Sequence, residues 1–218
     1  MKKYYFLLLL CLLALIWSGI SPYKYLLWAG EAAYPIIGSI ILIATFKKFR
    51  FTFFTYIAIL VSFYLMLIGA HYSFARVPLF DTIRDYFGQS RNNYDKIGHF
   101  VQGIIPVLVT REIFIRGKIV SGQKWLSFIS FGISMAVTSG YEIIEYLACL
   151  MVGVNMDSFM GSQGDIWDSQ KDMLAAVIGG LITITFLCKT HDRIIEKEFN
   201  GSFLKFDRRK SEPDSAIR

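Results

Sequence analysis

Asp95 and His99 stand four residues apart, Glu142 and Glu145 three apart, and Asp165, Asp168 and Asp172 fall at i, i+3 and i+7. On a helix each spacing puts its side chains on one face, with Asp95 and His99 about 6 Å apart along the axis. Groups gathered in this way act as general acids and bases or as proton carriers. As ligands, a mixed N/O set suits zinc, manganese or iron, while oxygen alone suits magnesium or calcium. No HExxH or cysteine-rich pattern singles out a metal, and no G-x-S-x-G elbow supports a serine hydrolase.

The stretches that carry these residues are apolar. The chain has 218 residues, 54% of them hydrophobic and 18% charged, where a soluble domain carries about 25% charged residues. Its mean hydropathy is +0.45. Six apolar segments are about long enough to cross a bilayer: Tyr4 to Ile20, Leu26 to Phe46, Phe51 to Ala70, Ile97 to Ile115, Trp125 to Val152 and Met173 to Cys188. The expected fold is an all-α integral membrane protein, a bundle of about six transmembrane helices. The first segment follows Lys2 and Lys3 as a secretory signal would, but Pro22 sits where cleavage would have to occur, so it reads as a retained anchor. No room is left for a separate soluble catalytic domain.

Orientation follows from the basic residues. With the N-terminus in the cytoplasm, 17 of the 23 Lys and Arg lie inside; only Lys24, Arg76, Arg84, Arg91, Lys96 and Lys171 lie outside. That bias fits six spans with both termini cytoplasmic. The net charge of +6 is then a topology signal, with membrane lipid as the partner and no nucleic acid. Residues 1–190 read as the membrane domain. Residues 191–218 read as a mixed-charge cytoplasmic tail, its end around Glu212-Pro213-Asp214 disordered. Cys11, Cys149 and Cys188 all fall in apolar stretches, which excludes a disulfide framework or a zinc ribbon.

An ionisable side chain inside a bilayer costs several kcal/mol unless it is paired, wetted or bound to a cation. Here such groups collect toward the outer face: Asp95 and His99 open span four, Glu142 and Glu145 lie near the outer end of span five, and the three aspartates lead into span six. His71 closes span three and Glu31 lies about two turns inside span two. Helix N-termini favour negative charge, so capping alone accounts for some of the aspartates. Glu142 and Glu145 lie near a helix C-terminus, where negative charge is disfavoured, and they need a partner. Arg76, Arg84, Arg91, Lys96 and Lys171 are the basic residues available for ion pairs at that level. Arg111 and Glu112 lie about 20 Å from Asp95 along the same helix, so they read as an inner ion pair or a lipid contact.

The segments Arg91-Asn92-Asn93-Tyr94-Asp95-Lys96-Ile97-Gly98-His99-Phe100, with Gln102-Gly103, Pro106 and Arg111-Glu112, resemble the signature of the YjdF-type bacterial inner-membrane proteins. So do Gly69-Ala70-His71-Tyr72, Tyr141-Glu142 with Glu145, and Gly161-Ser162-Gln163-Gly164-Asp165-Ile166-Trp167-Asp168-Ser169-Gln170-Lys171-Asp172-Met173. The resemblance covers nearly the whole chain up to the tail. One departure is Tyr146, where the family often has Trp. That family is a domain of unknown function, so the resemblance implies an address and a fold without a reaction. A looser similarity reaches the VanZ-like membrane proteins through Asp95 with His99, Glu142 with Glu145, and Asp168 with Asp172. Their association with resistance to a glycopeptide antibiotic implies a role at the cell envelope.

Three functions fit these residues. In a membrane enzyme acting on a lipid or lipid-linked envelope substrate, Glu142 or Glu145 is the catalytic base, and His99, Asp168 and Asp172 ligate a divalent metal. Glu31, His71, Asn93, Asp95, Gln163 and Asp165 then complete the substrate or ion cluster. In a transport or binding protein the same groups carry protons or cations through the bundle. In a structural protein they form an ion-pair network. Acids outnumber bases at this level, which favours the first two; no broken helices or repeated halves are evident, which favours the enzyme.

Overall fold

The computed structural model describes residues 1–152 and 162–199. The disordered end expected around residues 212–214 lies outside the described residues, as does the outer loop from 153 to 161. Among the described residues, eight α-helices follow one another: α1 (Lys2–Gly19), α2 (Tyr25–Thr45), α3 (Phe53–Tyr72), α4 (Pro78–Tyr86), α5 (Tyr94–Gly117), α6 (Gln123–Val152), α7 (Asp168–Ile182) and α8 (Cys188–Glu198). A single wide turn of π-helix, Thr183–Leu187, joins α7 to α8, so Asp168–Glu198 is one continuous run. Among the described residues, six helices are long and apolar enough to cross a membrane, in agreement with the six segments read from the sequence.

Local chemistry sets the helix ends. Thr52 caps α3, its hydroxyl accepting the Thr55 N–H at 3.2 Å. Pro78 opens α4, with Asp81 in its first turn and Arg84 in its last, each sign matching the helix dipole. After Gly117, Lys118 adopts a left-handed conformation and stops α5. The last span runs further than its apolar core at both ends. At its start Asp168 profits from a helix N-terminus. At its far end Cys188, His191, Asp192 and Ile195 recur on one face and are buried against the bundle.

The helices form two groups of three. α1 and α2 pack on α3; α6 and α7 pack on α5; and α3 against α5 joins the groups. α5 is the axis, with more than half of its membrane window buried, whereas only 17% of the windows of α1 and α2 is. Glycine decides how closely α5 and α7 approach. A Cβ on Gly103 would lie 2.0 Å from the Ala176 carbonyl oxygen, and one on Gly179 would lie 2.1 Å from that of Phe100. Backbone therefore meets backbone without intervening side chains, as small residues allow in membrane helix pairs. Ser134 ties α6 to the same place on α5 by donating to the Gly103 carbonyl at 2.9 Å.

Candidate functional site

The first turns of α5 and α7 and the last turns of α6 meet at one end of the bundle. From α5 come Asp95, Lys96, His99 and Gln102; from α7, Asp168 and Asp172; from α6, Tyr141, Glu142 and Glu145. Arg91 reaches in from the segment before α5. The polar groups separate into two halves of different character.

In the first half, Asp95, Asp168 and Asp172 are buried with carboxylate oxygens within 4.8 Å of one another. Two cations of the chain itself compensate them. The Arg91 guanidinium bonds Asp95 and, at 2.5 Å, Asp168. The Lys96 ammonium lies 2.6 Å from Asp168, 2.8 Å from Asp172 and 3.3 Å from Asp95. Lys96 Nζ thus takes the place among three carboxylates that an ion would occupy. Buried ion pairs of this kind persist only where both signs are present and hydrogen-bonded.

The loop before α7 is locked onto this half. Gln163 accepts the Asn92 N–H at 3.0 Å and returns a bond from Nε2 to the Asn92 carbonyl at 2.8 Å. To do so, Gln163 and Gly164 both take positive φ. Asp165 accepts from Lys171 at 2.6 Å, lies 3.4 Å from Arg91, and receives the Trp167 N–H at 3.0 Å. The Lys171 bond, followed by the Trp167 N–H, holds the Asp165 carboxyl below its ordinary pKa.

Among the described residues, no Lys or Arg pairs with the second half. His99, Glu142 and Glu145 bring one ligand atom each within 4.8 Å of one another. His99 Nε2 faces Glu142 Oε1 at 3.4 Å and Asp172 Oδ1 at 3.8 Å, so Asp172 borders both halves. His99 and Glu142 are each 7% exposed, and both His99 Nδ1 and Glu142 Oε1 are buried without a hydrogen-bond partner. Glu31 Oε2 and Gln102 Oε1 are also unpartnered. Glu31, His99, Gln102, Tyr141 and Glu145 line a cavity of about 20 Å³, the room one or two waters or a single ion require. Tyr141 closes it edge-on to the His99 ring, 5.9 Å between centroids, and makes the same contact with Tyr34 of α2.

Of the residues expected at the site, Glu31, Asp95, His99, Glu142, Glu145, Asp168 and Asp172 converge, with Asp165 and Gln163 at the rim. Two turn elsewhere. His71 stacks on Trp17 and bonds the Ser18 carbonyl at 3.1 Å, tying α3 to α1. Asn93 donates to Gln89 at 3.0 Å within its own loop.

A second polar centre, which sequence reading reduced to an inner Arg111–Glu112 pair, occupies the opposite end. Glu112 has no exposed surface and accepts from the Thr52 N–H at 2.7 Å, the Thr52 hydroxyl at 3.0 Å and the Thr55 hydroxyl at 2.8 Å. Arg116 lies 3.1 Å from it. Arg111 turns away to Asp192 at 2.7 Å, Gln123 at 2.9 Å and Ser127 at 3.0 Å. His191 and Asp192 had been read as tail; the i, i+3, i+4, i+7 recurrence of Cys188, His191, Asp192 and Ile195 was the signal for them.

A family model described as "Predicted membrane protein (DUF2238)" matches residues 3–193, a range that takes in both polar centres. The chain is 40% identical over 185 residues to inner membrane protein YjdF of Escherichia coli (strain K12), covering 85% of this chain and 88% of that protein. No solved structure matches it.

Proposed function

The chain belongs to the DUF2238 family of membrane proteins and is a multi-pass inner-membrane protein, and on that footing we propose that His99, Glu142 and Glu145 form a centre for one divalent cation that serves chemistry on a lipid or lipid-linked envelope substrate. The observation that carries this reading is that His99 Nδ1 and Glu142 Oε1 are buried without a hydrogen-bond partner beside a cavity of ion size lined by His99 and Glu145. A neighbouring set of aspartates already neutralised by Arg91 and Lys96 marks the contrast. An imidazole with a carboxylate is a mixed N/O donor set for zinc, manganese or iron. Bound there, the ion would act as a Lewis acid toward an oxygen of the substrate. His99 and Glu142 hold it from α5 and α6. Glu145, one turn further along α6, is the base that takes a proton from the attacking hydroxyl or water. The cavity is too small for a whole lipid, so the substrate presents one small polar group at its mouth.

A second reading, carriage of protons or cations through the bundle, is favoured by one feature of α6. Ser130, Ser134 and Thr138 are fully buried and continue the Glu142 face toward the opposite end, with Ser130 Oγ and Thr138 Oγ1 unpartnered.

Metal analysis and melting of the detergent-purified protein test the proposal. One divalent ion per chain is expected, and chelation should lower Tm, because a ligand bound only by the folded state stabilises it. At saturation of about 100-fold over Kd the effect is about 2.7 kcal/mol, or roughly 5–10 °C for a chain of this size. Glu142→Gln should melt at the same temperature with and without chelator. Identical melting of the wild type in both conditions, with no metal found, overturns the cation centre. Thr138→Val separates the readings: it leaves an enzyme active and blocks passage along α6.

A further inference from the structure

A cleft of about 620 Å³ opens between α2, α3 and α5, with Met66 between it and the cavity beside His99. Its wall is almost wholly apolar and runs along α2 from Tyr34 past Gly38 to Thr45, ending at Phe49. The eleven residue-to-residue steps of helix from Tyr34 to Thr45 make that about 16 Å, close to half of the roughly 30 Å hydrocarbon core and therefore the depth of one leaflet. A second cleft of about 210 Å³ lies between α1, α2 and α3 and shares Ser39, Leu42 and Ile59 with the first. The second half of α2 thus stands over apolar space on both flanks. Within a membrane protein such space is filled by hydrocarbon.

Both clefts reach the turn between α2 and α3, and that turn is basic. Lys47 lines the smaller cleft, Lys47 and Lys48 are exposed, and Arg50 Nε is buried without a partner. The Arg50 guanidinium lies over the rings of Tyr4 and Phe199, at 5.5 and 5.7 Å, which fixes it at the rim. The nearby acids are engaged elsewhere. Glu112 is held by Thr52, Thr55 and Arg116, and Glu198 accepts from Tyr4 at 2.8 Å and from the Phe53 N–H at 3.0 Å. Among the described residues, Lys47, Lys48 and Arg50 have no carboxylate partner.

We propose that this surface is a binding site for an anionic phospholipid of the leaflet at the Glu112 end, its acyl chains in the clefts beside α2 and its phosphate on Lys47, Lys48 and Arg50. The clefts match a chain in polarity and depth, and the rim matches the headgroup in charge. The site is independent of the His99 centre and stands or falls separately from it.

Native mass spectrometry of the detergent-purified full chain, with added phosphatidylglycerol, phosphatidylethanolamine or inorganic phosphate, tests the site. One phosphatidylglycerol should be retained in preference to phosphatidylethanolamine, and each basic side chain removed should cut that preference about five-fold. Lys47→Gln with Lys48→Gln should therefore bring the two lipids close to parity. Gly38→Phe places a ring in the cleft, where a Cβ meets no atom within 4 Å, and should lower retention with Tm unchanged. Equal retention of both lipids by the wild type overturns the proposal. So does undiminished retention by a folded Gly38→Phe protein, or stabilisation by inorganic phosphate equal to that by phosphatidylglycerol. The wild-type comparison decides the matter even if a variant does not fold.

Discussion

Glu112 Oε2 and His191 Nε2 meet 3.3 Å apart, and neither side chain has exposed surface. Because His191 also contacts the Thr55 hydroxyl at 2.9 Å, the pair fastens the end of the last span to the start of α3 through α5. Removing one member of a buried hydrogen-bonded pair costs about 3–5 kcal/mol. Glu112→Ala should accordingly lower Tm sharply, and limited proteolysis should then cut near Cys188. Unchanged melting would show that the pair holds nothing together.

Lys96 stands between Asp168 and Asp172, so its effect depends on theirs. Lys96→Met leaves buried carboxylates short of one positive charge and should destabilise by about 3–5 kcal/mol. Lys96→Met combined with Asp172→Asn should regain part of that loss. A double-mutant cycle on Tm measures the coupling; simple additivity would mean that the ammonium and the Asp172 carboxylate do not interact.

Asp165 gives the loop before α7 a pH dependence. Its folded pKa lies below the ordinary value of 3.8, so its contribution is fully present above about that pH and is lost as pH falls through the lower, folded value. Trp167, whose N–H bonds Asp165, reports the change. Its emission should shift in acid below pH 3.8, and Asp165→Asn should show the shifted emission already at neutral pH.

The positive-inside bias of the basic residues predicts that the His99 centre faces the outside. A cysteine at Gln89 should react with an impermeant thiol reagent in intact cells whose outer membrane has been permeabilised, and one at Ser121 should not. Labelling at Ser121 alone would reverse the orientation.

The six spans were legible because each has an apolar run of sufficient length. The ends of the last span were not, since Asp168, His191 and Asp192 lower the hydropathy that marks a span while being buried by partners elsewhere in the chain. α4 was missed as a helix, although Pro78, Asp81 and Arg84 stand in helix-starting and helix-ending places. At the site, helical spacing identified the groups that converge. It could not divide them, because Arg91 is 77 residues from Asp168 and Lys96 is 76 from Asp172. Which carboxylates a cation reaches is settled by the packing of α5 on α7. His71 shows the same limit: it was expected in the cluster, but Trp17 and Ser18 of α1 draw it away.

The absence of side chains at Gly103 and Gly179 has a mechanical consequence. With carbonyl oxygens 2.0 and 2.1 Å from where a Cβ would stand, α5 and α7 have no cushion of rotatable groups on which to slide or roll. They behave as one strut, and the register of Lys96 against Asp168 and Asp172 travels with it. Any working motion of the protein must then come from the neighbours: α6, which brings Glu142 and Glu145 up to His99, or α2, which brings Glu31 and Tyr34. Opening and closing of the centre is thus a displacement of glutamates against a fixed histidine.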